Sequence, residues 1–158
     1  MEQKFSKLEL VTNGEGFIDI TNHLNLIIQK NYFNEGILNI TSLHTSCSLT
    51  INENADPNVL KDLKKYMQSN VPYDCYSPLS KNKEEIYYEH NQEGMDDMPA
   101  HIKTSLTNTN LSLSFQKGKI ILGTWQAVYL WEHRFNKKKR TINIHIIGEK
   151  NSNIYNSI

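Results

Sequence analysis

The chain has 158 residues, 38% of them hydrophobic, which suits one domain with a core of its own, so residues 1–158 are read as a single domain. Basic and acidic side chains number 17 each, and a net charge of zero argues against a protein that coats nucleic acid or lies on a membrane surface. The charged start MEQKFSKLEL, the lack of a roughly 20-residue apolar run and two cysteines in dissimilar contexts (Cys47 and Cys75) lead us to expect a reducing, cytoplasmic setting.

Residues Lys4 to Thr12 alternate in part and predict a first strand, followed after Gly14 by a second over Gly16 to Thr21. Leu24, Ile27, Ile28 and Tyr32 then recur at helical spacing, predicting a helix over Thr21 to Glu35. Thr21 or Asn22 would cap its start, and Gly36 would form its left-handed exit. From Gly36 to His44 the positions Leu38, Ile40, Ser42 and His44 share even parity, whereas from Cys47 to Glu53 Leu49 and Ile51 lie on odd numbers. A strand cannot change apolar parity without a turn or bulge, so His44, Thr45 and Ser46 must stand at a break between two buried strands.

Asp56-Pro57 is a helix start, and Val59, Leu60, Leu63 and Met67 mark one face of a helix over Pro57 to Asn70. Val71 to Glu85 reads as a long irregular loop. A second acidic start, Asp96-Asp97-Met98-Pro99, predicts a helix to about Leu106 with His101 in its first turn. The last third is β-rich: Leu111 to Phe115, Lys119 to Leu122, Thr124 to Glu132 and Arg140 to Gly148.

Of the six histidines, His23 and His145 read as surface or structural groups, and His133 ends a strand beside Arg134. His44 closes an apolar strand face at the parity break, His90 follows Tyr87 and Tyr88, and His101 opens a helix. Three neutral imidazoles would hold a zinc-like ion and leave a position for water or substrate. Asp97, among the acids of Glu93 to Asp97, either favours the helix dipole or serves that site directly or through His101. Glu132 lies at the end of an apolar strip, where a buried carboxylate needs a partner, and Arg140 is the candidate. Cys47 reads as a small buried hydrophobe. Nucleotide-binding loops, the serine-hydrolase elbow and the zincin helix motif are absent from the sequence.

The run HTSCSLTINEN from His44 to Asn54, Tyr88-Glu89-His90, EGMDDMPAHIK from Glu93 to Lys103, and LGTWQ from Leu122 to Gln126 together resemble the YjbQ family. Its members are small proteins described as secondary thiamine-phosphate synthases. The resemblance spans about Lys4 to Gly148, with Asn108 where many relatives have glycine and Ser114 where many have proline. It implies an α+β fold: a two-sheet β-sandwich with about three helices, assembled as a homotrimer. It implies a metal site of His44, His90 and His101 with zinc as the ion, magnesium accompanying a pyrophosphate substrate. Ser46, Glu53, Asp97, Trp125, Gln126, Glu132 and Arg140 are carried over as pocket residues. The implied reaction couples hydroxymethylpyrimidine pyrophosphate to thiazole phosphate and releases pyrophosphate. A metal-dependent hydrolase of a small phosphorylated or acyl substrate, and a non-catalytic trimer holding a metal or anion, are the competing expectations. Neither nucleic acid nor membrane is expected as a partner.

Overall fold

A computed structural model describes residues 1–77 and 85–150. Chain order is β1 (Glu2–Val11), β2 (Gly16–Asp19), α1 (Thr21–Lys30), β3 (Phe33–Ser42), β4 (Cys47–Glu53), α2 (Pro57–Asn70), β5 (Cys75–Tyr76) and β6 (Ile86–Tyr87), then α3 (Asp97–Ser105), β7 (Asn110–Gln116), β8 (Lys119–Ile120), β9 (Gln126–Glu132) and β10 (Lys139–Lys150). The fold is α+β, with three helices among the described residues. A five-stranded antiparallel sheet runs β1-β10-β3-β7-β8 and a three-stranded one β2-β9-β4; β5 and β6 form a separate ribbon. The predicted loop between α2 and α3 therefore carries this ribbon, and its residues 78–84 lie outside the described ones. Among the described residues no helix is long and apolar enough to cross a membrane.

The parity break has a direct structural meaning. β3 belongs to the larger sheet and β4 to the smaller, so the chain changes sheets through residues 43–46. Even-numbered Leu38 and Ile40 and odd-numbered Leu49 then reach one core from opposite sides, joined by Ile142, Ile144 and Ile146 of β10 and by Leu24 and Ile28 of α1. His145, on the outer face of β10, stacks on Phe5 with ring centroids 4.1 Å apart.

Three local expectations are corrected. α1 ends at Lys30 rather than Glu35, because Tyr32 takes the positive φ that ends it and Phe33 already begins β3. Gly36 is not the helix exit: it sits in β3 opposite Gly148, where a β-carbon would collide with the backbone of Ile147 and Gly148. Neither Thr21 nor Asn22 caps α1; Ile20 occupies the cap, and Asp19 Oδ1 accepts the Thr21 N–H at 2.8 Å. α2 matches its prediction, with Asp56 accepting the Asn58 N–H at 2.8 Å.

Candidate functional site

Three candidate residues converge at the start of α3. Asp97 is its first residue and His101 follows four later, so the helix sets both on one face. His101 thus lies beyond the first turn where the sequence placed it. Asp97 Oδ1 is 3.7 Å from His101 Nε2, and Asp97 Oδ2 is 2.9 Å from Nε2 of His90. One nitrogen or oxygen from each of His90, Asp97 and His101 lies within 4.8 Å of the others. Asp97 is 3% exposed against 57% for His90, so the cluster has a buried acidic floor and a solvent-facing side.

Each group is held from behind. His101 Nδ1 is 3.0 Å from the Thr45 carbonyl oxygen, which only accepts; Nδ1–H is therefore the donor, and the bond turns Nε2 towards the cluster. Buried Arg134 bonds Asp97 Oδ1 through one terminal nitrogen, Asp96 Oδ2 through Nε at 2.9 Å, and the Glu93 carbonyl at 2.9 Å. Asp96 also accepts the Phe135 N–H at 2.7 Å. Burial pushes the Asp96 carboxyl up, but this N–H and Arg134 outweigh it and hold the group below the ordinary range. Asp96, the residue at the cap position, makes no side-chain cap bond; an arginine from beyond β9 takes its charge instead.

His44 is brought close but not into this trio. Its Nε2 accepts the Thr141 N–H at 2.8 Å, and it shares with His101 a cleft of about 420 Å³ lined by Thr45, Thr104, Ser105, Thr107 and Thr109. Burial lowers the basicity of His44; Arg140 adds to this and Glu132 opposes it.

Glu132, fully buried, is matched as the sequence reading asked. It accepts Nε of Arg140 at 2.7 Å, a terminal nitrogen of Arg140 at 2.5 Å, Thr12 Oγ1 at 2.8 Å, and the backbone N–H groups of His133 and Arg134. Burial works against the Arg140 charge, but the Glu132 bonds prevail and hold its pKa above the ordinary value. Arg140 also donates to Ser46 Oγ at 3.0 Å and to the Ser46 carbonyl at 3.2 Å, fixing the loop that carries His44 and Thr45. The pair joins the end of the smaller sheet to the start of β10 in the larger.

Glu53, Trp125 and Gln126 stand elsewhere. In the β4–β9 ladder Cys47 faces Glu132 and Glu53 faces Gln126, so six residues, about 20 Å, separate these ends. Gln126 Oε1 accepts the Gly123 N–H at 2.8 Å, and Trp125, 64% exposed, lines a shallow cleft with Glu53 and Asp56. Within one chain the proposed pocket residues therefore form two groups at opposite ends of a strand pair.

Arg134 was not singled out by the sequence reading. A signal existed: the chain has only two arginines, Arg134 and Arg140, among abundant lysines, and a planar fork is what paired carboxylates require. Also unanticipated is a buried cluster in which Lys103 Nζ lies 2.5 Å from Glu15 Oε1 and 4.6 Å from the Tyr73 ring centre. Cys47 is a buried thiol, its pKa raised by that burial, as expected of a core residue.

The donor set fits a zinc-class ion. His90 Nε2 approaches Asp97 Oδ2 at 2.9 Å and His101 Nε2 approaches Oδ1 at 3.7 Å, and imidazole and carboxylate are both ligand types of zinc. Two imidazoles and one carboxylate suit zinc better than magnesium, which favours oxygen.

The family described as UPF0047 protein YjbQ-like matches residues 6–149. The UPF0047 protein YjbQ of Escherichia coli O157:H7 is 39% identical over 143 residues, covering 90% of this chain and 96% of the relative. A UPF0047 protein of Synechocystis sp. is 37% identical over 142 residues, 90% of each chain. Among solved structures, an uncharacterised conserved protein of the YjbQ/UPF0047 family from Clostridium acetobutylicum superposes with a TM-score of 0.74 at 30% identity, over 90% of this chain and 99% of that one. A conserved hypothetical protein from Thermus thermophilus gives 0.72 at 30% identity, with the same coverage.

Proposed function

This chain belongs to the YjbQ-like UPF0047 family, and on that premise we propose that it is a metal-dependent enzyme acting on a small molecule, with His90, Asp97 and His101 as the ligands of a zinc-class divalent ion. The observation that carries this is the meeting of two imidazole nitrogens and a carboxylate, all within 4.8 Å, on a base fixed by Arg134 and the Thr45 carbonyl. An ion held by His90, Asp97 and His101 would supply Lewis acidity towards a phosphoryl or carbonyl oxygen. Arg134 orients the Asp97 carboxylate through its bond to Oδ1. The Thr45 bond holds the His101 ring with Nε2 aimed at the cluster. His44, whose Nε2 is occupied by the Thr141 N–H, offers Nδ1–H as a donor beside His101.

The reaction assigned first is the transfer that the family resemblance implies, thiamine-phosphate synthesis from two phosphorylated precursors. Its support is the cleft bordering His101, lined by the hydroxyl residues Thr45, Thr104, Ser105, Thr107 and Thr109, a lining suited to phosphate oxygens. Hydrolysis of a small acyl or phosphorylated substrate is the second reading. It is favoured by the commitment of both arginines to carboxylates, Arg134 to Asp96 and Asp97 and Arg140 to Glu132, which leaves pyrophosphate without an arginine. We place the protein in the cytosol, since Cys47 and Cys75 are both free thiols, and in the homotrimer that the family resemblance implies, for which Phe5, Ile37 and Ile147, exposed on strands of the larger sheet, offer apolar surface.

Elemental analysis of purified protein tests the centre. We expect about one zinc-class ion per chain, lost in His90→Ala, Asp97→Ala and His101→Ala and largely kept in His44→Ala. Wild-type protein that takes up no ion at any loading would sink the proposal. Incubation with the two precursors, then with acyl and phosphoryl ester substrates, separates transferase from hydrolase; ion retention without turnover of either would indicate a binding protein.

A further inference from the structure

Beside the proposed metal ligands the chain builds a second surface, which of the three only His90 borders. Cys75 pairs with Tyr87 and Tyr76 with Ile86, and this ribbon forms with α3 and the end of α2 a cleft of about 560 Å³. Its walls include Val71, Tyr76, Ile86, Tyr88, Met98 and Ile102, and His90 borders it as well. The rings of Tyr76 and Tyr88 stack with centroids 5.7 Å apart, so one aromatic wall is already assembled.

Chain connectivity ties this cleft to the metal centre. Met98 directly follows Asp97 and Ile102 directly follows His101, so one turn of α3 presents ligands to one side and apolar side chains to the other. The volume is that of a small-molecule site. Among the described residues that line it none is lysine or arginine, and Glu89 is the one acid. Such walls reward apolar area removed from water and give an anion nothing to pair with.

We propose that this cleft is a specificity subsite that holds an uncharged aryl group of the ligand while the ligand's polar end faces His90, Asp97 and His101. The inference rests on the metal-centre reading above and adds the chemical class that the neighbouring surface selects.

Two hydroxamates give a test that needs no knowledge of the substrate or of turnover. Acetohydroxamate and benzohydroxamate share one chelating head, and the second adds a phenyl ring. Their affinities for the zinc-loaded protein are measured by calorimetry and compared in wild type, Ile102→Ala and Tyr88→Ser. Zinc affinity is measured alongside to show that each variant is folded and loaded. We expect benzohydroxamate to bind wild type about tenfold or more tightly than acetohydroxamate, and that ratio to fall to about threefold or less in both variants while zinc affinity holds. Equal affinity of the two probes for loaded wild type would overturn the aryl subsite and leave the metal centre standing. A wild-type ratio that neither variant changes would likewise overturn it, by locating the ring elsewhere. Failure of wild type to bind zinc would overturn both readings together.

Discussion

Nδ1 of His101 lies 3.0 Å from the carbonyl oxygen of Thr45 and thereby ties helix α3 to the segment through which the chain passes from one sheet to the other. The same segment is gripped from its far side by Arg140, which reaches Ser46 while paired with Glu132. Order at the His90, Asp97 and His101 cluster thus depends on two charged groups, of which only Arg134 touches a member of it, Asp97.

Arg134→Met removes the shared partner of Asp96 and Asp97, which are 4% and 2% exposed. Two buried carboxylates without a counter-charge are costly, and we expect a loss of about 3–5 kcal/mol in urea unfolding. Zinc affinity should drop roughly 10–100-fold, because the residue behind a ligating carboxylate orients it. Arg134→Lys should recover little, since an ammonium cannot reproduce the fork. Near-wild-type stability of Arg134→Met would show that the clamp is not structural.

Glu132→Gln should destabilise by about 3 kcal/mol, because Arg140 then stays buried without its partner. The double variant Glu132→Leu with Arg140→Met should be less damaged than the sum of the two single changes. A double-mutant cycle in urea reads this coupling, and strict additivity would contradict the pairing.

His133 predicts a pH dependence. It is fully buried, with Nε2 2.9 Å from Ser48 Oγ and no partner for Nδ1. Burial is the main cause that pushes its pKa from 6.5 down to about 3, with Lys103 and Arg140 adding to the effect. The unfolded chain therefore binds a proton near pH 6.5 that the folded chain refuses. The stabilisation is complete above about pH 6.5 and is lost as pH falls from there towards 3, by at most about 1.4 kcal/mol per unit. The stability gap between wild type and His133→Asn should shrink from pH 7.5 to pH 5. A gap that stays constant over that range would refute the burial of a neutral ring.

Gly36→Ala should cost about 2–4 kcal/mol, because the added β-carbon meets the backbone of Ile147 and Gly148 in the adjoining strand. Thermal unfolding measures this directly. An unchanged midpoint would mean that β3 and β10 separate more easily than their register suggests.

The alternation on either side of His44 was enough to find both strands and the break between them, and Asp56-Pro57 was enough to start α2 at its observed residue. Period, parity and caps are properties of one continuous stretch of chain, so they can be read without knowing what packs against it. The pairing of Glu132 with Arg140 was also legible, since a short turn returns one beside the other. Arg134 is different, lying 37 residues from Asp97 and on another element. Which side chains meet across such a distance depends on how β9, α3 and the loop from His44 to Ser46 are set against one another. That packing decided between the two roles open to Asp97 by setting its carboxylate against His90, gave Nε2 of His44 to the Thr141 N–H, and left Trp125 and Gln126 at the other end of the strand pair.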